Sequence, residues 1–228
     1  MPPAHDDDAL FRTVRERLFT AVIGDVMDAA GLTRQFLPPD VRALHPDMVA
    51  VGRAMPVLEA DCSGEQVGHS GQPEPFGLMF RALDGLRPGE VYVAAGGSPR
   101  YALWGGLMST RARRLGAAGA VLDGFHRDTR EIRALGFPVF SAGGYAQDQR
   151  LRGRVVDFRC RVGFGNGAEV APGDLVVGDV DGVLAVPRGR VDEVVGAALA
   201  KVEGEGAVRA MIEAGAATDA VFRKTGIM

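Results

Sequence analysis

Between residues 91 and 143 the chain switches repeatedly between two periodicities. Three short apolar runs, VYVAA (91 to 95), GAVLDG (119 to 124) and FPVFSAG (137 to 143), are separated by two helical segments. The spacing predicts one helix from about Trp104 to Leu115, closed by Gly116. It predicts a second over DTREIRALG, with Asp128 at the N-cap position and Gly136 at the end. Strands joined by helices of this length lie parallel in one sheet, because the crossover carries the chain back to its starting edge. Ligands of such sheets sit beyond the carboxyl ends of the strands.

The flanking segments fill out an α/β architecture. Residues 7 to 31 read as two helical pieces, with Leu10, Phe11, Val14 and Leu18 at helical spacing and Gly31 as a C-terminal cap. VAVGRAMPVLEA (49 to 60) has strand character, and Gly52 and Pro56 point to a bulge or an edge. FGLMFRALDGL (76 to 86) reads as a helix, and RPGE turns the chain into the next strand. RVVDFRCRVGF alternates like an exposed or edge strand. APGDLVVGDVDGVLAVP carries two hairpin-like turns, PGD and VDG, and a helix follows from about Val191 to Ile212 before the tail FRKTGIM. The expected fold is a mixed sheet with helices around it and a β-rich C-terminal half. The 32 glycines fall between periodic segments rather than in a repeat, so residues 1–228 are read as a single domain.

Bulk properties remove several function classes. Hydrophobic residues make up 46% and charged residues 24%, as in ordinary globular proteins, and a net charge of -3 offers no electrostatic basis for binding nucleic acid. Asp6-Asp7-Asp8 reads as a solvated flank or a helix start. Cys62 and Cys160 lack CxxC spacing, which argues against a disulfide framework or a zinc site. The N-terminal stretch has neither the basic nor the apolar region of a secretory signal, and no apolar run approaches the ~20 residues of a membrane span. A soluble, cytoplasmic protein with no membrane partner is expected.

The candidate chemistry lies in GGLMSTRARRLGAAGAVLDGFHRD, residues 105 to 128. The amides of Gly105 and Gly106 open a helix and would face an anion in the crevice. Arg127 offers a planar fork suited to a carboxylate, and Asp128 is a hard oxygen ligand of the kind that holds Mg²⁺ together with waters. The same residues also admit a plainer reading. An exposed Arg-Asp pair contributes ~0–1 kcal/mol, Asp128 can be only an N-cap, and the glycines can merely permit close packing. His126 is titratable near neutral pH but is read as structural, as are Trp104 (packing), Arg100 (surface) and Asp179 and Asp181 (turn residues). His69 lies in a Gly-rich loop and is given no role.

Over nearly the whole chain, however, motifs recur in the order and spacing of one family. TAVIGDVMDAAG, VGRAMPV, PGEVYVAAGG, the run from Tyr101 to Gly143 and APGDLVVGDVDGVLAVP together resemble the RraA-like family, which includes the 4-hydroxy-4-methyl-2-oxoglutarate (HMG) aldolases. The resemblance implies a swivelling-domain type α/β sandwich and a metal-dependent class II aldolase or decarboxylase. Such an enzyme would cleave a C–C bond of a 2-oxo acid, HMG or oxaloacetate, to give pyruvate through an enolate. It implies that Asp128 binds Mg²⁺ or Mn²⁺, that Arg127 holds substrate and stabilises the enolate, and that the amides of Gly105, Gly106, Leu107 and Met108 bind the pyruvyl carboxylate. It further implies a homotrimer or hexamer in which an acid from a neighbour's C-terminal helix nears the metal. Glu203 and Glu205 are the candidates, and solvent-facing helix charges are an equal reading of both.

The sequence departs from the family at two places. The aldolases carry an acidic residue twenty residues before the Arg-Asp pair, and here Gly106 stands there. Gly77 stands where the family has an Asn that contacts substrate. The family's RNase E regulators lack the Asp of the pair, and Asp128 is retained. A non-catalytic regulator and an enzyme with a different substrate are the alternatives.

Overall fold

The computed structural model describes residues 7–65, 67 and 71–227. Its helices are α1 (Asp7–Arg17), α2 (Thr20–Ala29), α3 (Met79–Asp84), α4 (Gly106–Arg114), α5 (Thr129–Leu135), α6 (Val191–Glu213) and α7 (Thr218–Thr225). Its strands are β1 (Arg42–Ala43), β2 (Ala50–Asp61), β3 (Glu90–Ala95), β4 (Ala102–Trp104), β5 (Gly119–Leu122), β6 (Phe125–His126) and β7 (Val139–Ser141). They continue with β8 (Gly153–Phe158), β9 (Val162–Gly163), β10 (Glu169–Val170), β11 (Leu175–Asp179) and β12 (Gly182–Val186). His69 and Asp6 lie outside the described residues.

The main sheet runs β1-β7-β5-β3-β2-β11-β12, with β8 also on β2. β2, β3, β5 and β7 are mutually parallel, as the strand-helix-strand pattern requires, and the other pairings are antiparallel. Residues 35 to 43 nearly close the sheet. They pair with β12 at one end, where Leu37 donates to Val183 O at 2.9 Å and Gln35 O accepts from Ala185, and with β7 through β1 at the other. Alternation along β3 divides its side chains between two cores. Val91, Val93 and Ala95 point into the barrel with Phe140, Val176 and Phe164, while Tyr92 and Ala94 face a layer with Trp104, Ile132 and Phe137 under α3, α4 and α5. A third core joins β11 and β12 to α1, α2 and α6. Each fully buried large side chain in these layers contributes roughly 1.5–3 kcal/mol.

The N-terminal helices follow the predicted spacing, with Phe11, Val14 and Leu18 buried. Gly31 takes φ +75° while its N–H and that of Leu32 bond back to Asp28 O and Met27 O, a left-handed cap that suits glycine. Asp7 and Asp8 do start a helix, and Asp7 is also bound by Arg53 at 2.6 Å. β8 is an edge strand, as its alternation predicts.

Other expectations need correction. The predicted edge at Gly52 and Pro56 is a central strand, paired on both sides. Pro56 is tolerated because it falls between the last β11 pair (Arg53) and the first β8 pair (Val57), on the side where its missing N–H has no strand to reach. The bulge lies beyond it, at Leu58–Glu59. PGD is a turn but no hairpin, since β10 pairs β9, whereas VDG does join β11 to β12. Helix α4 begins at Gly106 and not Trp104, which belongs to β4, and the tail forms α7. No helix among the described residues is long and apolar enough to cross a membrane.

Candidate active site

Two loops meet beyond the carboxyl ends of β3 and β5. The chain leaves β5 and forms β6, which pairs in parallel with β4, and Arg127 N–H then donates to Trp104 O at 2.9 Å. This small ladder sets Arg127-Asp128 directly beside Gly105-Gly106. Asp128 adopts φ +60°, ψ +35°, a left-handed conformation that few non-glycine residues take, although Asp is among the more tolerant. It occupies the N-cap position of α5 yet makes no capping bond there. Its Oδ2 instead accepts the N–H of Gly106, the first residue of α4, at 3.0 Å. A carboxylate at a helix N-terminus is stabilised by the dipole, and Asp128 caps the neighbouring helix in place of its own.

That bond changes the predicted amide cradle. The Gly106 N–H is already taken by Asp128. The N–H groups of Leu107 and Met108 have no partner among the described residues and remain available to an anion. Arg127 stands beside them with its Nε 3.8 Å from Asp128 Oδ2 and its Nη1 3.3 Å from Asp148 Oδ1, all three side chains being about 40% exposed. Ion pairs this exposed are worth roughly 0–1 kcal/mol, so the guanidinium can exchange Asp148 for an incoming carboxylate at small cost. Asp148 has no sequence signal, because it reaches Arg127 only through the fold.

The glycine pair is explained by the same carboxylates. A Cβ on Gly105 would stand 2.7 Å from Asp128 Oδ2, and one on Gly106 would collide with the carboxylate of Glu131, one turn into α5. Gly77 has a backbone reason instead: it takes φ +59° and abuts Val155 O, with which it forms a bridge.

The supporting shell is buried and hydrogen-bonded. His126 binds Ser141 Oγ through Nδ1 (2.7 Å) and Thr129 Oγ1 through Nε2 (2.9 Å), and burial pushes its pKa down, so it holds the loop as a neutral ring. Trp104 donates to Ser109 Oγ at 2.6 Å and packs on Tyr92 and Phe137. Both agree with a structural reading. Arg100 is exposed and pairs with Asp61 at 2.7 Å. The Ser98 N–H above all, with Arg100 and Tyr101, holds the Asp61 carboxyl down at about 2. Asp179 does more than end a strand: it accepts both the N–H and the hydroxyl of Thr20 at 2.7 Å, while Asp181 sits in the turn. Glu59, absent from the sequence reading, is 2% exposed at the end of β2. It accepts from Gln149 at 2.8 Å, and desolvation pushes its pKa up to about 8. Gln149 adjoins Asp148, so this buried bond anchors the loop that carries Arg127's partner.

Glu203 and Glu205 are not brought to these residues within one chain. Glu203 binds Arg17 at 3.0 Å, and Glu205 binds Lys201, which also reaches Asp25. No three His, Cys, Asp or Glu side chains converge as a metal cage among the described residues. A hydrated Mg²⁺ or Mn²⁺ held by one or two carboxylates suits the site, since Asp128 is fixed, half exposed and uses only Oδ2 internally.

Fold and site together define an α/β protein with a carboxylate, a guanidinium and open helix amides at its strand ends. The sequence matches the RraA-like family, described as Aldolase/RraA, over residues 20–185, and the chain belongs to that family. It is 33% identical over 193 residues to a putative 4-hydroxy-4-methyl-2-oxoglutarate aldolase of Halalkalibacterium halodurans, covering 81% of this chain and 78% of that one. A 4-hydroxy-4-methyl-2-oxoglutarate aldolase of Thermus thermophilus is 34% identical over 117 residues, half of this chain and 70% of that protein. Among solved structures it is similar to Streptomyces coelicolor RraAS2, described as an unusual member of the RNase ES inhibitor RraA protein family. That likeness has a TM-score of 0.77 at 25% identity and covers 91% of this chain and 99% of the other. Both named aldolases and named regulators thus stand among its relatives.

Proposed function

We propose that the chain is a divalent-metal-dependent lyase that cleaves a C–C bond of a 2-oxo acid, an HMG-type aldol or oxaloacetate, releasing pyruvate. The observation that carries this reading is Asp128, held in a left-handed conformation with its carboxylate turned to the head of α4 beside Arg127. Residues kept in sparsely populated conformations concentrate at functional sites. A regulator binding through its surface has no need of a carboxylate fixed by a left-handed backbone beside a guanidinium, and the aldolase names of the similar proteins point the same way.

Mg²⁺ or Mn²⁺, held by Asp128 with waters, would polarise the keto group of the substrate. The substrate carboxylate is received by the free N–H groups of Leu107 and Met108 and by Arg127, which leaves Asp148 for it. The bond that breaks joins C3 to C4. In the aldol the C4 hydroxyl gives its proton to solvent water and becomes the carbonyl of the second product, and in oxaloacetate the C4 carboxylate leaves as CO2. In both, the electron pair of the broken bond forms the C2–C3 double bond while the keto π pair moves onto the C2 oxygen. The Arg127 guanidinium then faces the developing negative charge, the usual means of stabilising an enolate. Protonation of the enolate at carbon gives pyruvate. The chain acts as a homotrimer or a hexamer in the cytoplasm; light scattering should give a mass that is a multiple of three protomers, and a monomer or dimer mass would contradict this.

The test is pyruvate release from HMG and from oxaloacetate, with Mg²⁺ and with excess EDTA. Metal-dependent release by wild type, lost in Asp128→Ala, supports the reading. Absence of release from both substrates, or full release by Asp128→Ala, overturns it.

A further inference from the structure

The acid that the sequence lacks at position 106 has a spatial substitute. Gly106 adopts no left-handed backbone, so its conformation does not forbid a side chain. What meets one is Glu131: a Cβ built on Gly106 would run into Glu131 Oε2, so the glutamate would have to swing aside, with Glu131 Cβ at 3.3 Å and Asp128 Cβ at 3.4 Å. The Glu131 carboxylate therefore fills the space in which a side chain at 106 would begin. It is directed there by ordinary helix geometry. Residues three apart share a face, so Glu131 lies one turn above Asp128, with its N–H bonded to Asp128 O at 2.9 Å. Two carboxylates thus converge over the head of α4, one bonded to its first amide and one packed against that residue's Cα. Glu131 makes no side-chain hydrogen bond or ion pair among the described residues, although arginines are abundant nearby on α4 and α5.

We infer that Glu131 supplies the second carboxylate of the metal site, placed on α5 where the resembled aldolases place an acid at the start of α4. The inference rests on the proposed metal-dependent function. Its consequence is that Gly106 and Glu131 are one unit: the glycine makes room for the glutamate. In this arrangement Asp128 and Glu131 hold the waters of one hydrated ion from two successive positions of a single helix face. Removal of an outer partner of this kind lowers metal affinity about 10- to 100-fold.

Mn²⁺ binding to the full-length protein, followed by electron paramagnetic resonance, tests this apart from turnover. Wild type, Asp128→Ala, Glu131→Ala and the double variant Gly106→Asp/Glu131→Ala are titrated after circular dichroism confirms folding. In the double variant the Cβ atoms of residues 131 and 128 remain, at 3.3 and 3.4 Å, and a shift of a few tenths of an ångström accommodates them. The expected result is loss of binding in Asp128→Ala, a drop of at least ~10-fold in Glu131→Ala, and recovery in the double variant. If Glu131→Ala binds Mn²⁺ like wild type, or the double variant stays as weak as Glu131→Ala, the inference is overturned while the proposed function stands. If wild type binds no Mn²⁺, or Asp128→Ala binds it unchanged, both fall.

Discussion

At Gly105 the backbone is extended (φ −154°), a conformation open to any residue. The bar to a side chain there is Asp128 Oδ2, 2.7 Å from the position of a Cβ. Gly105→Ala should therefore fold normally but push the Asp128 carboxylate off the Gly106 amide. A displacement of that size costs about 100-fold in turnover when it moves a reacting group. Steady-state kinetics beside a melting curve checks this, and an unchanged kcat/KM would contradict it. Glu59 makes a different prediction. Its folded pKa of about 8 lies above its ordinary 4.5, so between these values the native state keeps a proton that the unfolded chain has lost. Stability from this group is present in full below pH 4.5 and is lost as pH rises toward 8, by up to roughly 1.4 kcal/mol per pH unit. Glu59→Gln removes that loss. Its Tm should change less than that of wild type between pH 5.5 and 8, and parallel curves for the two proteins would refute the assignment.

The helices of the site are positioned by groups from outside themselves. α4 is capped by Asp128 from the following loop, and α2 by Asp179 from the end of β11, through Thr20 N and Oγ1. Asp179→Ala leaves the buried Thr20 without these partners and should cost about 1–2 kcal/mol, read as a shift of the urea midpoint at constant slope. Neither cap is visible in the sequence, where Asp128 heads its own helix and Asp179 precedes a turn. Local spacing identifies which residues can cap, but only the fold decides which helix receives them. For the same reason β4 escaped the sequence: three residues, Ala102–Trp104, form a strand solely because β6 lies alongside.

For the molecule as a whole, the parallel core was legible because β3, β5 and β7 are short, apolar and separated by amphipathic helices, so local pattern and global pairing agree. The near closure of the sheet was not, since residues 35 to 43 carry no strand periodicity and gain their pairing from the two edges they bridge. The candidate site was half legible. Arg127, Asp128 and the 105–108 segment stand in one sequence stretch. Asp148, Glu131 and Glu59 join them through contacts spanning 21 (Arg127 to Asp148), 25 (Gly106 to Glu131) and 90 (Glu59 to Gln149) positions of chain. All of these roles converge on the proposed chemistry, stabilisation of a pyruvate enolate at this site with the help of a divalent metal. That chemistry is reversible, so it can be observed without knowing the parent substrate. The direct measurement is exchange of the methyl protons of pyruvate for solvent deuterium, followed by proton NMR. With Mg²⁺ the wild-type protein should catalyse the exchange, and EDTA or Asp128→Ala should abolish it. Exchange no faster than in protein-free buffer, or equal exchange by Asp128→Ala, would contradict the account.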